Sequence, residues 1–108
     1  MSASQRTKGA EGEREALALV RAAGWPNAQR NYDQAAKGGS DISAGPAGVS
    51  IEVKRARRAV AVPAAMRQAE AAAGPHDIPI VLHRVDREPW RATLEATELL
   101  ALLRLREA

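Results

Sequence analysis

The segment Val49-Ser50-Ile51-Glu52-Val53-Lys54 alternates apolar and polar residues without a break. As a strand it turns Val49, Ile51 and Val53 to one side and Ser50, Glu52 and Lys54 to the other, so a carboxylate and an ammonium project together. Alone, this pattern equally suits a half-buried strand carrying a solvated ion pair. Asp41 points further. It follows Gly38-Gly39-Ser40 and opens a short segment that the turn Gly45 to Gly48 folds back beside residues 49–55. By itself an aspartate there is also a turn or strand cap. Across a hairpin it reaches the Glu52 face, and two adjacent carboxylates repel each other unless a cation lies between them. Mg²⁺ takes hard oxygen ligands and keeps several waters, so Asp41, Glu52 and the main-chain carbonyl of Val53 are a sufficient set.

A third carboxylate comes from the first helical segment. Glu13 shares the stripe of Leu17 and Val20, whereas Glu11 and Glu15 lie off it, so Glu13 is aimed at the sheet and would hold a second ion or its waters. A favourable charge near a helix N-terminus explains a glutamate there equally well. Lysine usage bears on Lys54. Of sixteen basic residues only Lys8, Lys37 and Lys54 are lysine, and a compact ammonium of adjustable pKa suits the handling of an attacking water better than an arginine fork does. With so few lysines, chance explains the choice as well. Together these groups suggest phosphodiester hydrolysis by an in-line water: a metal on Asp41 and Glu52 polarises the phosphate and acidifies the water, and Lys54 orients it or stabilises developing charge.

The elements that must position these groups are legible in outline. Ala16, Leu17, Val20 and Ala23 recur at helical spacing from about Ala10, and Gly24 ends the run. Residues 27–32 are a weak strand, Gln34 to Ser40 a loop, Asp41 to Ala44 a short strand and Val49 to Arg55 the clearest strand; the last two are expected to form a hairpin. Pro63 suits the first turn of a second helix that reaches Ala73 before Gly74-Pro75. Ile78 to Arg84 and Trp90 to Leu94 read as strands. From Thr97, the expected N-cap, Leu99, Leu100, Leu102, Leu103 and Leu105 suggest a closing helix packed on the domain. The order α-β-β-β-α-β-β-α implies an α/β fold, a mixed central sheet flanked by helices.

The 108 residues suffice for one domain, expected over 9–108 behind a mobile basic terminus, 1–8. There is no cysteine, which excludes disulfides and thiolate metal sites and suits a reducing compartment; two histidines, His76 and His83, are too few for a histidine zinc centre, and both read as structural or surface residues away from the carboxylates. Neither a membrane span nor a signal peptide is apparent, so a cytoplasmic protein is expected. The net charge of +3 suits a polyanionic partner, with Lys8, Lys37, Arg55, Arg57 and Arg58 as candidate phosphate contacts.

The segments K-G-A-E-G-E-R-E (Lys8 to Glu15), G-G-S-D-I (Gly38 to Ile42) and I-E-V-K-R (Ile51 to Arg55), with a following helix bearing Gln68, resemble the Holliday-junction resolvase-like branch of the PD-(D/E)XK nucleases, which includes archaeal resolvases and small phage or prophage endonucleases. The resemblance runs from Lys8 to the closing segment. It implies a restriction-endonuclease-like fold, Mg²⁺ or Mn²⁺ dependence, and a homodimer in a bacterial, archaeal or phage-infected cell that cuts opposing strands of branched DNA. By position it makes Glu13, Asp41 and Glu52 metal-binding carboxylates, Lys54 the catalytic lysine, and Ser40 and Gln68 supporting polar groups. Gln68 on a helix is otherwise a solvated residue. The stretch Val60 to Ala65 carries small residues where relatives often place bulky aromatic ones, which bears on junction specificity more than on nuclease chemistry.

Two other function classes fit the same residues. A non-catalytic DNA-binding module would use the basic run 54–58 on phosphates, with strong salt dependence and little influence of metal. An interaction domain would use the leucine-rich closing helix, whose stripe otherwise packs in the core. For a dimer, Val60 to Met66 is a candidate patch; hinge or core serves that segment equally.

Overall fold

The structure is a computed structural model that describes residues 3–31 and 39–108, with side chains from residue 8 onward in the first helix. Among these residues the elements run α1 (Ala3–Ala23), β1 (Gln29–Arg30), β2 (Ile42–Ser43), β3 (Val49–Ala56), α2 (Val62–Ala72), β4 (Ile78–Val85), β5 (Arg91–Thr93) and α3 (Ala96–Arg106). The order is the one expected, and the sheet is mixed. β3 pairs in parallel with β4, which pairs antiparallel with β5. Among the described residues no helix is long and apolar enough to cross a membrane.

The alternation in β3 is resolved as two cores, one on each sheet face. Ile51 and Val53 pack with Ala16, Leu17 and Val20 of α1, joined by Ala28 and Ile42. On the other face Val81 of β4 meets Ala65 and Ala69 of α2, with Met66 beside them. Small residues let that helix lie close to the strands. Gly12 does the same for α1: a methyl group at this position would overlap the Arg55 side chain.

Several expectations need correction. The first helix begins at Ala3, well before Ala10, so residues 3–8 continue it. The anticipated hairpin between residues 41–44 and 49–55 is not a strand ladder. β2 instead pairs antiparallel with β1, setting Gln29 against Ser43 and Arg30 against Ile42. The chain at 40–41 reaches β3 through one backbone bond, Asp41 N–H to Ile51 O at 2.7 Å, and through side chains. The last helix is capped by Glu95, which accepts the Thr97 N–H, and Thr97 lies inside it. Nor does that helix close the core: it has no buried residue. The segment from Val60 to Met66 enters α2, where Ala65 is buried in the second core.

Candidate functional site

Backbone pairing fixes the direction of each group on β3. Gly48 O accepts the Ile78 N–H and Ala56 O accepts the Asp86 N–H, so the even-numbered residues of β3 bond toward β4. The odd-numbered ones face the opposite edge, where Ile51 N–H donates to Ser40 Oγ at 2.8 Å and Val53 N–H donates to Asp41 Oδ2 at 2.6 Å. A residue's carbonyl in a strand projects to the same edge as its N–H, so the Val53 carbonyl lies on the Asp41 side.

Ser40 is the clip that holds the two segments in place. Its hydroxyl accepts N–H groups from Ile42 and Ile51 and lies 2.8 Å from Ile42 O and 3.2 Å from Ile51 O, one of which takes its single proton. Asn31 braces the same turn, donating its side-chain amide to Ser40 O and its N–H to Asp41 O. Asp41 is thereby buried, 6% exposed, with one carboxylate oxygen on the Val53 N–H.

Glu52 and Lys54 flank Val53 and share the opposite pleat. Lys54 Nζ lies 3.5 Å from Glu52 Oε1, and the Glu52 side chain is only 12% exposed. Burial, and then the Asp41 charge, push the Glu52 carboxyl above its usual range; Lys54 opposes them and Glu13 adds to them. Glu52 thus feels both other carboxylates. Glu13 itself is tied to Arg30, whose Nε donates to Glu13 Oε2 at 2.7 Å.

The chain has no match among known protein families, curated proteins or solved structures.

Among the described residues no three Asp, Glu or His side chains stand close enough to hold an ion between them. The expected trio is therefore divided: Asp41 and Glu52 are brought to either side of the Val53 peptide, and Glu13 is engaged by Arg30. The pair nevertheless fits a hard divalent ion in donor chemistry. It offers two carboxylates and a carbonyl on the Asp41 edge, and it contains a buried acid destabilised by its acidic neighbours, a penalty that a cation relieves.

The candidate phosphate contacts separate by position. Arg55 continues the Ile51-Val53 face toward α1, and its side chain is 8% exposed and bonded to Asp86 and to Glu15. Burial works against its charge, but Asp86 and Glu15 outweigh that and raise its pKa. Glu15 also takes Arg84 Nη1 at 2.7 Å, and Lys8 Nζ reaches Asp86 at 3.2 Å. Lys8 and Arg55 thus join a partly exposed ion-pair cluster linking α1, β3 and the end of β4. Arg57 and Arg58 lie exposed beyond β3 and, with Asp86 and Arg87, line a surface depression of about 330 Å³. Lys37 falls outside the described residues. Gln68 is exposed on α2 beside buried Ala69.

One neighbour of the site was missed. The parallel register sets His83 beside Lys54, and the antiparallel one sets Arg91 beside His83, so these three basic side chains cross the sheet in a row on the Glu52 face. His83 Nε2 lies 2.9 Å from Thr93 Oγ1, and burial followed by the Arg91 charge lowers its pKa. Its place depends on pairing between strands far apart in sequence, and no local pattern signals it.

Proposed function

We propose that the protein is a metal-dependent DNA endonuclease whose centre comprises Asp41, Glu52, Lys54 and the Val53 carbonyl. The observation that carries this reading is the 2.6 Å bond from Val53 N–H to Asp41 Oδ2. It fixes an acid from one segment against the peptide that separates Glu52 from Lys54, so residues distant in sequence meet with hard-ligand and proton-handling groups side by side.

When bound, Mg²⁺ or Mn²⁺ supplies Lewis acidity toward a phosphate oxygen and eases deprotonation of the attacking water. Asp41 and Glu52 would hold the ion. Lys54, kept 3.5 Å from Glu52, presents its ammonium to the water and to charge developing on phosphate. Arg57 and Arg58 meet the sugar-phosphate backbone outside the site, and Lys54 and Arg91 add positive charge along the sheet on either side of His83. Glu13, held by Arg30, would add negative charge near the ion. A restriction-endonuclease-like fold and branched or four-way DNA as substrate rest on the resemblance of residues 8–15, 38–42 and 51–55 to junction resolvase-like nucleases.

The engagement of Glu13 by Arg30 favours one competitor, a DNA-binding module without turnover. Linear, nicked, flapped and four-way DNA offered side by side with and without Mg²⁺ distinguish the two. The nuclease reading expects metal-dependent cuts, paired symmetrically on the four-way substrate and lost in Lys54→Ala. Binding without cutting under Mg²⁺ and Mn²⁺ supports the module instead.

A further inference from the structure

The end of β4, the turn that follows it and the segment leading into α2 border a cavity of about 160 Å³. Val60, Val62 and Pro89 give it apolar walls, and His83, Glu88 and Arg91 supply polar groups. Its volume suits one planar heterocycle. The strand register places it relative to the proposed centre. His83 stands one strand spacing and Arg91 two from Lys54, so Arg91 lies about 10 Å from the lysine across the sheet. One nucleotide spans that distance from its phosphate to the far edge of its base.

The polar groups suit a base and not a second phosphate. The Glu88 carboxylate repels an anion. The guanidinium of Arg84, which also borders the cavity, is taken up by Glu15 and by the Glu88 carbonyl. Burial and the Arg91 charge hold His83 below its ordinary pKa, so its ring is neutral at neutral pH. One guanidinium and one carboxylate remain, those of Arg91 and Glu88, 3.4 Å apart and both exposed, in a surface pair weak enough to be exchanged for a ligand. Arginine presents two parallel N–H donors and a carboxylate two acceptors. Of the four DNA bases, guanine alone gives each a bidentate partner: O6 and N7 for Arg91, and the N1 and N2 hydrogens for Glu88. His83 Nε2 stands 2.9 Å from Thr93 Oγ1, which fixes the ring that lines the cavity beside them.

We infer that this cavity is a guanine-binding subsite that receives an unpaired base next to the cleaved phosphate. Its position beside the cut rests on the nuclease reading, whereas its choice of guanine does not. Removing a base from a stack costs least where it is already unpaired, so single-stranded or branch-point guanine is the preferred occupant.

Thymidine pentamers carrying guanine, adenine, cytosine or thymine at the centre test it, by fluorescence anisotropy with the full chain in metal-free buffer. The guanine pentamer is expected to bind at least about tenfold more tightly than the other three. Arg91→Ala and Glu88→Ala, both at exposed positions, each remove that preference. Glu88→Ala also deletes a negative charge, so a purely electrostatic contact would tighten binding of all four alike and leave their order unchanged. Equal binding of the four pentamers, preference for another base, a guanine preference that survives both variants, or no binding at about 1 mM overturns the proposal. Cleavage under Mg²⁺ of substrates that differ only in the bases flanking the cut separates it from the nuclease reading. Cutting indifferent to guanine refutes the subsite alone, and guanine-selective binding without cutting refutes the nuclease alone.

Discussion

Replacing Asp41 by alanine or by asparagine separates its structural task from its chemical one. Its Oδ2 takes the Val53 N–H at 2.6 Å in a setting where Asp41 is 6% and Val53 9% exposed, so the donor has little access to water. Alanine removes a charge-assisted bond and leaves that N–H unsatisfied. The expected loss, after relief of repulsion on Glu52, is about 2–3 kcal/mol. Asparagine keeps an acceptor in place and removes the same repulsion, so its cost stays within about 1 kcal/mol. For a chain of this length each kcal/mol moves the melting temperature by about 4–8 °C, so a gap of about 2 kcal/mol between the variants sets alanine roughly 8–16 °C below asparagine. Differential scanning calorimetry without divalent ions reads the gap. Both variants should lose cleavage. Melting temperatures within 2 °C of each other, on the order of the smallest resolvable shift, would show that this bond does not hold the site together.

Glu52→Gln should raise stability in metal-free buffer by about 0.5–1 kcal/mol, measured by urea denaturation, while abolishing cleavage, because it removes a buried charge facing two others. Gly12→Ala should destabilise by about 1–3 kcal/mol in the same assay, since overlap with Arg55 outweighs the usual helical gain of alanine. His83 is depressed below its ordinary value near 6.5, so the unfolded chain takes up its proton first. Stability should therefore fall as pH drops through about 6.5 toward the folded value, and His83→Gln should flatten that part of the profile. Arg57→Ala/Arg58→Ala should reduce the log–log salt slope of DNA binding by about 2 with little change in stability, whereas Arg55→Ala should unfold more readily.

Features that depend on local periodicity were legible in the sequence. The alternation from Val49 to Lys54 placed Glu52 and Lys54 on one face, and the same alternation assigns Arg55 to the other. Residues 54–58 form one basic run by charge, and only the pleat separates Arg55 from Lys54. The pairing of β2 with β1 was not legible, since two-residue strands carry no period and their ladder is set by the Ser40 and Asp41 contacts. The sequence brings Asp41 beside residues 49–55, and the structure sets its carboxylate on the Val53 N–H, next to Glu52. Arg30 on Glu13 was not legible, because the partner lies across a turn. The leucines of α3 read as core because composition reports apolarity without saying whether the domain has a face left to cover. His83 entered the site's neighbourhood only through the parallel β3–β4 register, which joins residues separated by a whole helix.

The ion is the claim on which the functional reading turns. A Mn²⁺ titration followed by electron paramagnetic resonance, which reports free ion directly, should find saturable binding to the wild-type chain that disappears in Asp41→Asn and in Glu52→Gln, both folded. Binding that persists in both variants, or none in the wild type with or without DNA, would contradict a metal centre at Asp41 and Glu52.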